Sequence, residues 1–215
     1  MELSVIIPAL NGTTTLPRTL QTLGGGLEII VVDGGSTDGT PEQAALHGAH
    51  VITAPKGRGS QLAAGIAAAT HPWLLLLHAD TVLSPHWRTA LPIDAGKAGY
   101  FRFVLDSPDQ RARRLERLVA WRCRTLGLPY GDQGLLIYRD LLQAVGGMTT
   151  LPLMEDVDLV RRLGRGRLVP LAADAITSAA KWEQQGYLRR SARNLLCLSL
   201  WFAGMSPSHI QRIYE

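Results

Sequence analysis

Cysteine is scarce in this sequence, and its placement excludes two kinds of cross-linked protein. Of 215 residues only Cys123 and Cys197 are cysteines, and they lie far apart. Neither has another Cys or a His nearby at the spacing of metal ligands. We therefore expect neither a disulfide framework nor a structural zinc site.

Aromatic residues are also few. Phe, Trp and Tyr make up 6% of the chain, and the arginines that crowd between positions 111 and 124 lack the pattern of a nucleic-acid-binding module. We expect no nucleic-acid partner and interpret the arginine run as a solvated helix face.

Long apolar runs are missing as well. The longest one near the C-terminus, residues 195–205, is shorter than the roughly 20 residues of a membrane-spanning helix. We expect this segment to dock on the core as a helix. Because Arg189, Arg190 and Arg193 precede it, the alternative is an interfacial helix in peripheral contact with a membrane.

The N-terminal residues lead directly into strand-like sequence. They lack the basic region, apolar core and cleavage site of a secretory signal. We expect a cytoplasmic protein, with peripheral placement at the inner face of the membrane as the alternative. The sequence makes no prediction of oligomeric state.

What the chain does contain is enough apolar sequence for one folded domain. Hydrophobic residues account for 46% and charged residues for 19%, with a formal net charge of +4. A chain of this length can bury a substantial core. The positive charge permits attraction to phosphates without specifying a fold.

Short β-rich runs alternate with helical segments through the first half. Continuous apolar strands separated by helices predict a parallel sheet covered on both faces. The predicted strands are 5–7, 28–32, 51–52, 73–77 and 135–138, and the predicted helices are 16–23, 41–46, 60–69, 109–124, 141–145, 157–163 and 184–201.

Turn-forming and polar residues follow three of these strands. They occupy residues 8–12, 33–39 and 78–80. Open α/β sheets bind ligands at the carboxyl ends of their strands, so we expect these loops to converge on one crevice.

The segments 4–11 and 29–40 resemble the opening strand and nucleotide loop of the family 2 glycosyltransferases. The resemblance implies a GT-A fold, which is an α/β architecture with a mostly parallel central sheet, flanking helices and a C-terminal helical segment. It also implies transfer of a sugar, with inversion, from a nucleotide-sugar donor to an acceptor that the sequence does not name. UDP is the default nucleotide, with GDP or a polyprenyl-linked donor as the alternatives, and Mn²⁺ or Mg²⁺ is the expected cofactor.

Three shorter segments indicate a smaller group within this family. Residues 78–81, 131–134 and 181–186 resemble a small bacterial branch of short transferases encoded beside radical-SAM and selenium-related genes. We expect a single domain over 1–215, with a nucleotide-binding half (1–95), an acceptor and catalytic half (96–180) and a C-terminal helical segment (181–215).

The resemblance assigns the donor to the strand-end loops. For Asp33, which would contact the base or ribose, the alternative is an Asx-turn that closes its own loop. The glycine-bearing loop around Lys56 and Arg58 can meet phosphate, or it is a solvated turn. The predicted donor-binding residues are Pro8, Asn11, Asp33, Lys56, Arg58, Ala79 and Asp80.

His78-Ala79-Asp80 stands where the family has an Asp-x-Asp metal motif. Asp80 is the candidate ligand because hard cations take carboxylate, phosphate and water oxygens. His78 is the second candidate, since Mn²⁺ also accepts imidazole. The alternative for His78 is a strand-end histidine bonded to the backbone.

An acidic segment, Met154-Glu155-Asp156, resembles the family's catalytic motif. Asp156 is predicted to remove the proton of the acceptor hydroxyl, with Glu155 orienting the acceptor or a nearby cation. The alternative is a helix N-terminus enriched in acids because the helix dipole favours them.

Substrate contacts are predicted from two further motifs. Asp132 and Gln133 lie in a glycine-flanked segment and can bond sugar hydroxyls, although a plain turn has similar sequence. Trp182 resembles a later aromatic of the family. Lys181 stands where this branch has arginine, which keeps the charge but loses the planar fork.

Two rival functions share parts of this pattern. A sugar nucleotidyltransferase shares the sheet but carries a glycine- and arginine-rich loop after its first strand, where this chain has residues 8–12. A noncatalytic nucleotide-binding or scaffold protein would suit the histidine in the metal motif. Retention of Asp80, Glu155 and Asp156 argues against it.

Overall fold

The computed structural model describes residues 1–91 and 94–214. Within that part of the chain, one mixed sheet has the strand order β3-β2-β1-β4-β7-β6-β8-β5. Its strands are β1 (Leu3–Ala9), β2 (Glu28–Asp33), β3 (His50–Thr53), β4 (Trp73–Leu76), β5 (Thr81–Leu83), β6 (Ala98–Asp106), β7 (Leu135–Tyr138) and β8 (Leu168–Ser178).

Helices cover both faces of this sheet. They are α1 (Leu16–Leu23), α2 (Thr40–Leu46), α3 (Arg58–Ala68), α4 (Gln110–Leu126), α5 (Arg139–Ala144), α6 (Glu155–Leu163), α7 (Ala180–Gln185), α8 (Tyr187–Phe202) and α9 (Pro207–Tyr214).

The first four strands in sheet order run parallel, as predicted. β1 pairs with β2 and β4, and β2 with β3, all in parallel. Successive side chains of β1 enter different cores: Val5 and Ile7 join one cluster and Ile6 the other. Burial on both faces explains the continuous apolar sequence, and the predicted α/β class is confirmed.

Three strands, β5, β6 and β8, were not predicted. β6 contains Gly99 and a charged Arg102, and β8 contains Pro170 and Asp174, so neither shows an uninterrupted strand pattern. Their pairing joins positions about 70 residues apart in the chain, with a register shift between Tyr100 and Arg102. Tertiary pairing overrides weak local preference here.

The helix predicted over 184–201 is wrong in one respect, because it is two helices. Gly186 has φ of 81°, a left-handed conformation that glycine adopts without a Cβ penalty, and it separates α7 from α8. The bend turns α8 back across the molecule, where it packs with α9.

Docking of the C-terminal helices on the core agrees with the first of the two predictions for this segment. Cys197, Leu198 and Ile210 are buried against Leu153 and Val157. Both cysteines are free, as expected.

The opposite face of α8 keeps Leu188, Leu195, Leu196 and Phe202 exposed. Across residues 1–91 and 94–214, no helix combines the length and apolarity needed to span a bilayer. Peripheral membrane contact stays a prediction.

Gly65 lets α3 lie directly on the sheet. A Cβ at this position would be 2.4 Å from Cγ2 of Ile6 and 2.9 Å from Cγ2 of Val32. This close approach fixes the position of α3, and hence of Arg58 at its first turn.

We expect Gly65→Ala to lower the free energy of unfolding by about 1–3 kcal/mol, because overpacking outweighs the better helix propensity of alanine. Urea denaturation measures it. Gly166→Ala is the control, since a Cβ there meets no atom within 4 Å; an equal loss in both variants would contradict the packing argument.

Candidate active site

A cavity of about 190 Å³ lies beyond the carboxyl end of β4. Asp80 enters it from the loop after β4, Asp132 from the turn before β7, Asp156 from the start of α6, and Arg58 from the start of α3. Three carboxylates and a guanidinium from four separate segments therefore share one space.

Asp156 is held in place by the turn that carries Asp132. The backbone N–H of Gly131 donates to Oδ2 of Asp156 over 2.7 Å. A Cβ on Gly131 would lie 2.6 Å from Nε2 of His78, so a larger residue there would displace the imidazole. Met154, just before α6, has φ of 67°, an uncommon conformation for a non-glycine residue that aims the start of the helix.

Glu155 forms a buried ion pair with Arg58. Nε of Arg58 lies 2.9 Å from Oε1 of Glu155, whose side chain is 1% exposed. Burial, and then the charge of Asp156, raise the pKa of Glu155 to about 7 although Arg58 opposes the shift. Oε2 of Glu155 has no hydrogen-bond partner. The prediction that Glu155 orients a neighbouring cation fits this geometry.

Asp132 also faces the cavity as a poorly solvated acid. Its Oδ1 is enclosed and has no hydrogen-bond partner. Burial raises the pKa of Asp132 to about 6, with Asp156 and Asp80 adding to the shift and Arg122 opposing it. Crowded carboxylates of this kind favour either a proton or a cation.

His78 lines the same cavity as Asp80. Burial, and then the positive charge of Arg58, lower the pKa of His78 to about 4. Its imidazole is therefore neutral at pH 7, which is the form that can bind a metal.

The acidic side chains suit a hard divalent cation. Asp80 and the unpartnered oxygen of Asp132 supply the oxygen ligands that Mn²⁺ and Mg²⁺ take, and diphosphate and water can complete the shell. Within residues 1–91 and 94–214, no group of three or more His, Cys, Asp or Glu side chains is arranged to hold a metal by itself.

The predicted nucleotide residues at the ends of β1 and β2 do not line this cavity. Asp33 accepts hydrogen bonds from the N–H groups of Gly35 and Ser36, which is the Asx-turn alternative. Oδ1 of Asn11 accepts from the N–H of Thr37. This hydrogen bond connects the loop after β1 to the loop after β2.

Gln61, which was not singled out in the sequence, connects α3 to the ends of β1 and β2. Its Nε2 donates to the carbonyls of Ala9 over 2.8 Å and of Val32 over 2.7 Å. A lone glutamine in a helix carries no local signal of such a role.

The remaining predicted donor residues differ in exposure. Pro8 is buried in β1, Ala79 is partly buried, and its carbonyl accepts from Oγ1 of Thr19. Lys56 is exposed and lies outside the cavity that Arg58 lines. Of the seven predicted donor-binding residues, Arg58 and Asp80 therefore line the cavity. The other five do not line it: Pro8, Asn11, Asp33, Lys56 and Ala79.

Gln133 does not reach the cavity. Its side chain is buried, Nε2 donates to the carbonyl of Phe101 over 3.0 Å, and Oε1 accepts from the N–H of Tyr130. The amide braces the interior of its turn, which does not support the predicted substrate contact.

Trp182 lines the cavity together with Lys181, and its predicted substrate contact stays a prediction. The C-terminal helices add residues that the sequence analysis missed, Arg190, Asn194 and Tyr214. The arginines before the apolar segment were the only signal, and in the sequence they supported only the alternative of an interfacial helix.

The fold and the site together define an α/β protein whose cavity lies beyond the carboxyl end of β4. Residues 4–101 match the model of glycosyl transferase family 2. This match covers less than half of the chain and agrees with the predicted resemblance over that segment.

Curated relatives agree over part of the chain. It is 42% identical over 78 residues to an uncharacterised glycosyltransferase of Mycobacterium bovis, which is 36% of this chain and 36% of the relative. It is 35% identical over 97 residues to one of Nostoc, which is 40% of this chain and 30% of that relative. The chain thus spans about a third of the length of the curated relatives it matches.

Solved structures share the fold. Glucosyl-3-phosphoglycerate synthase from Mycobacterium tuberculosis, in complex with Mn²⁺, UDP and glucosyl-3-phosphoglycerate, is 22% identical with a TM-score of 0.57, over 82% of this chain and 70% of that one. Mannosyl-3-phosphoglycerate synthase from Rubrobacter xylanophilus is 19% identical with a TM-score of 0.59, over 94% and 74%. The predicted GT-A fold is confirmed.

The raised pKa of Glu155 predicts a pH-dependent stability. The folded protein holds this proton more tightly than the unfolded chain, so its stabilisation is complete below the ordinary pKa of 4.5 and is lost as the pH rises through about 7. Relative to Glu155→Gln, the wild type should lose on the order of 1–3 kcal/mol of unfolding free energy across this interval. Urea titrations at several pH values measure the difference.

The exposed Glu42→Gln is the control for replacement of a carboxylate by an amide. A difference between wild type and Glu155→Gln that is flat from pH 4 to 8 would contradict the assigned burial effect.

Proposed function

We propose that this protein transfers a sugar from a UDP-linked donor to the hydroxyl of an acceptor. The reaction uses a divalent metal and inverts the configuration at the anomeric carbon. The observation that carries the proposal is the convergence of Asp80, Asp132 and Asp156 with Arg58 in one cavity. The family match supports the reaction class.

Asp156 is assigned as the general base. One oxygen is held by the N–H of Gly131, which orients the carboxylate toward the cavity. It takes the proton of the acceptor hydroxyl as that oxygen attacks the anomeric carbon. The bond from this carbon to the diphosphate oxygen breaks on the opposite side, and the nucleoside diphosphate leaves with that electron pair.

The leaving diphosphate needs positive charge beside it. Mn²⁺ or Mg²⁺ at Asp80 would supply it by coordinating phosphate oxygens, with His78 and Asp132 as further candidate ligands. Lys181 and Arg58 add fixed charge in the same cavity. Electrostatic stabilisation of this kind usually contributes more to rate enhancement than any other single effect.

UDP is proposed as the nucleotide because the M. tuberculosis synthase of the same fold holds UDP with Mn²⁺. Pro8, Asn11, Asp33, Lys56 and Ala79 are proposed to border the nucleotide at the ends of β1, β2 and β4. The three-part division of the chain, substrate contact by Trp182, and a cytoplasmic location are proposals of the same standing.

We expect Asp156→Asn to lower transfer by at least about a hundredfold, because the amide cannot accept the proton. With the acceptor unidentified, hydrolysis of UDP-glucose, in which water replaces the acceptor, is the readout. UDP affinity should not change. Asp158→Asn is the matched control, because Asp158 lies on the same helix but pairs with Arg162 outside the cavity. Wild-type turnover in Asp156→Asn would move the base to another carboxylate.

Asp80→Ala should abolish metal-dependent donor binding while leaving the fold intact. Calorimetric titration with UDP, GDP, UDP-glucose and GDP-mannose, each with and without Mn²⁺, tests this and selects the nucleotide. Binding of one nucleotide that needs Mn²⁺ and is weakened by Asp80→Ala supports the proposal. If none of the four ligands binds the wild-type protein, the transferase proposal is wrong.

A further inference from the structure

We propose that α7 and α8 form a binding site for an anionic group, phosphate or carboxylate, on the acceptor. This inference rests on the proposed function and identifies the chemical class of its second substrate. The acceptor would carry a hydroxyl that reaches Asp156 and, some atoms away, an anion that reaches Arg190.

The cavity is lined by charges of both signs. Asp80, Asp132 and Asp156 line it with Arg58, and Lys181 and Arg190 reach it from the C-terminal helices. Neither of these two cations joins any of the carboxylate ion pairs found among residues 1–91 and 94–214. Their charge is therefore available to a ligand.

Arg190 is positioned by neutral groups alone. Its guanidinium carbon lies 5.0 Å from the centroid of the Trp182 ring, and Nη1 donates to Oε1 of Gln185 over 3.1 Å. Arg193 donates to the same oxygen over 2.8 Å. Two guanidinium groups thus share one amide oxygen, and a nearby acid of α7, Glu183, accepts a hydrogen bond from Ser107 instead.

Such clustering of like charges is unfavourable unless an anion offsets it. Guanidinium groups bind carboxylate and phosphate through paired hydrogen bonds, and stacking on an indole fixes the plane of Arg190 for that purpose. The gain from the anion would thus compensate for holding two arginines together.

Unsatisfied atoms point to the same conclusion. Nε of Arg190 and Oδ1 of Asn194 are enclosed and have no hydrogen-bond partner, and both residues line the cavity. A buried donor and a buried acceptor left unpaired each cost free energy. An acceptor that carries an anion and a hydroxyl would satisfy both.

The test is calorimetry on protein saturated with UDP and Mn²⁺. Glycerol 3-phosphate and glycerate supply a hydroxyl with either anion, and glycerol is the neutral control. We expect at least one anionic probe to bind, glycerol not to bind, and Arg190→Ala to weaken the anionic probe by about tenfold or more, as for loss of a charge-assisted hydrogen bond. The stronger probe identifies the anion.

Two variants separate charge from folding. Arg190→Lys keeps the charge and should retain part of the affinity, whereas Arg189→Ala removes an exposed arginine next in sequence and should change nothing. Affinity for UDP should be equal in all of them.

Other results overturn the inference. If UDP binds the wild type but no anionic probe does, if glycerol binds equally well, or if Arg190→Ala leaves the probes unaffected, the site does not exist. If Arg190→Ala weakens UDP instead, the cation serves the donor diphosphate. If the wild-type protein does not bind UDP at all, that different result refutes the proposed function itself.

Discussion

The antiparallel pairing of β4 with β7 is the constraint on which the site depends. Leu76, the last residue of β4, pairs with Leu135, the first residue of β7. The loop that leaves β4 and the turn that enters β7 therefore meet at one edge of the sheet. His78 and Asp80 come from the first, Asp132 from the second, and Gly131 then holds Asp156 over 2.7 Å. A parallel pair would have placed the turn at the opposite edge.

Buried charge in this site is compensated unevenly. Glu155 has Arg58 as a close partner, and removal of Arg58 would leave an uncompensated buried carboxylate, which costs several kcal/mol, on the order of 3–5. Asp132 has no such partner, so its pKa rises to about 6. A site of this kind is less stable alone than with ligands that neutralise it.

Part of the fold and part of the site could be predicted because patterns of adjacent residues specify them. The apolar run of β2 and the polar loop after it specify a buried strand that ends at a ligand edge. The acids that begin α6 and Asp80 after β4 were identified from motifs of a few adjacent residues. Gln133 shows the limit of such motifs, because its side chain donates to the carbonyl of Phe101 in the interior. That partner lies 32 residues away in the chain, and no local pattern predicts it.

The sequence by itself determined the class of fold and the parallel half of the sheet, because periodicity and turn chemistry act between neighbours in the chain. Its resemblance to a known family indicated the segments that carry the acids. Only the tertiary structure decided how β6 and β8 pair, that Gln61 ties two strand ends together, and that α8 brings Arg190 over the cavity. The physical reason is that each of these depends on contacts between residues far apart in sequence. Their free energy arises from burial and charge in the folded state and leaves no trace in local composition.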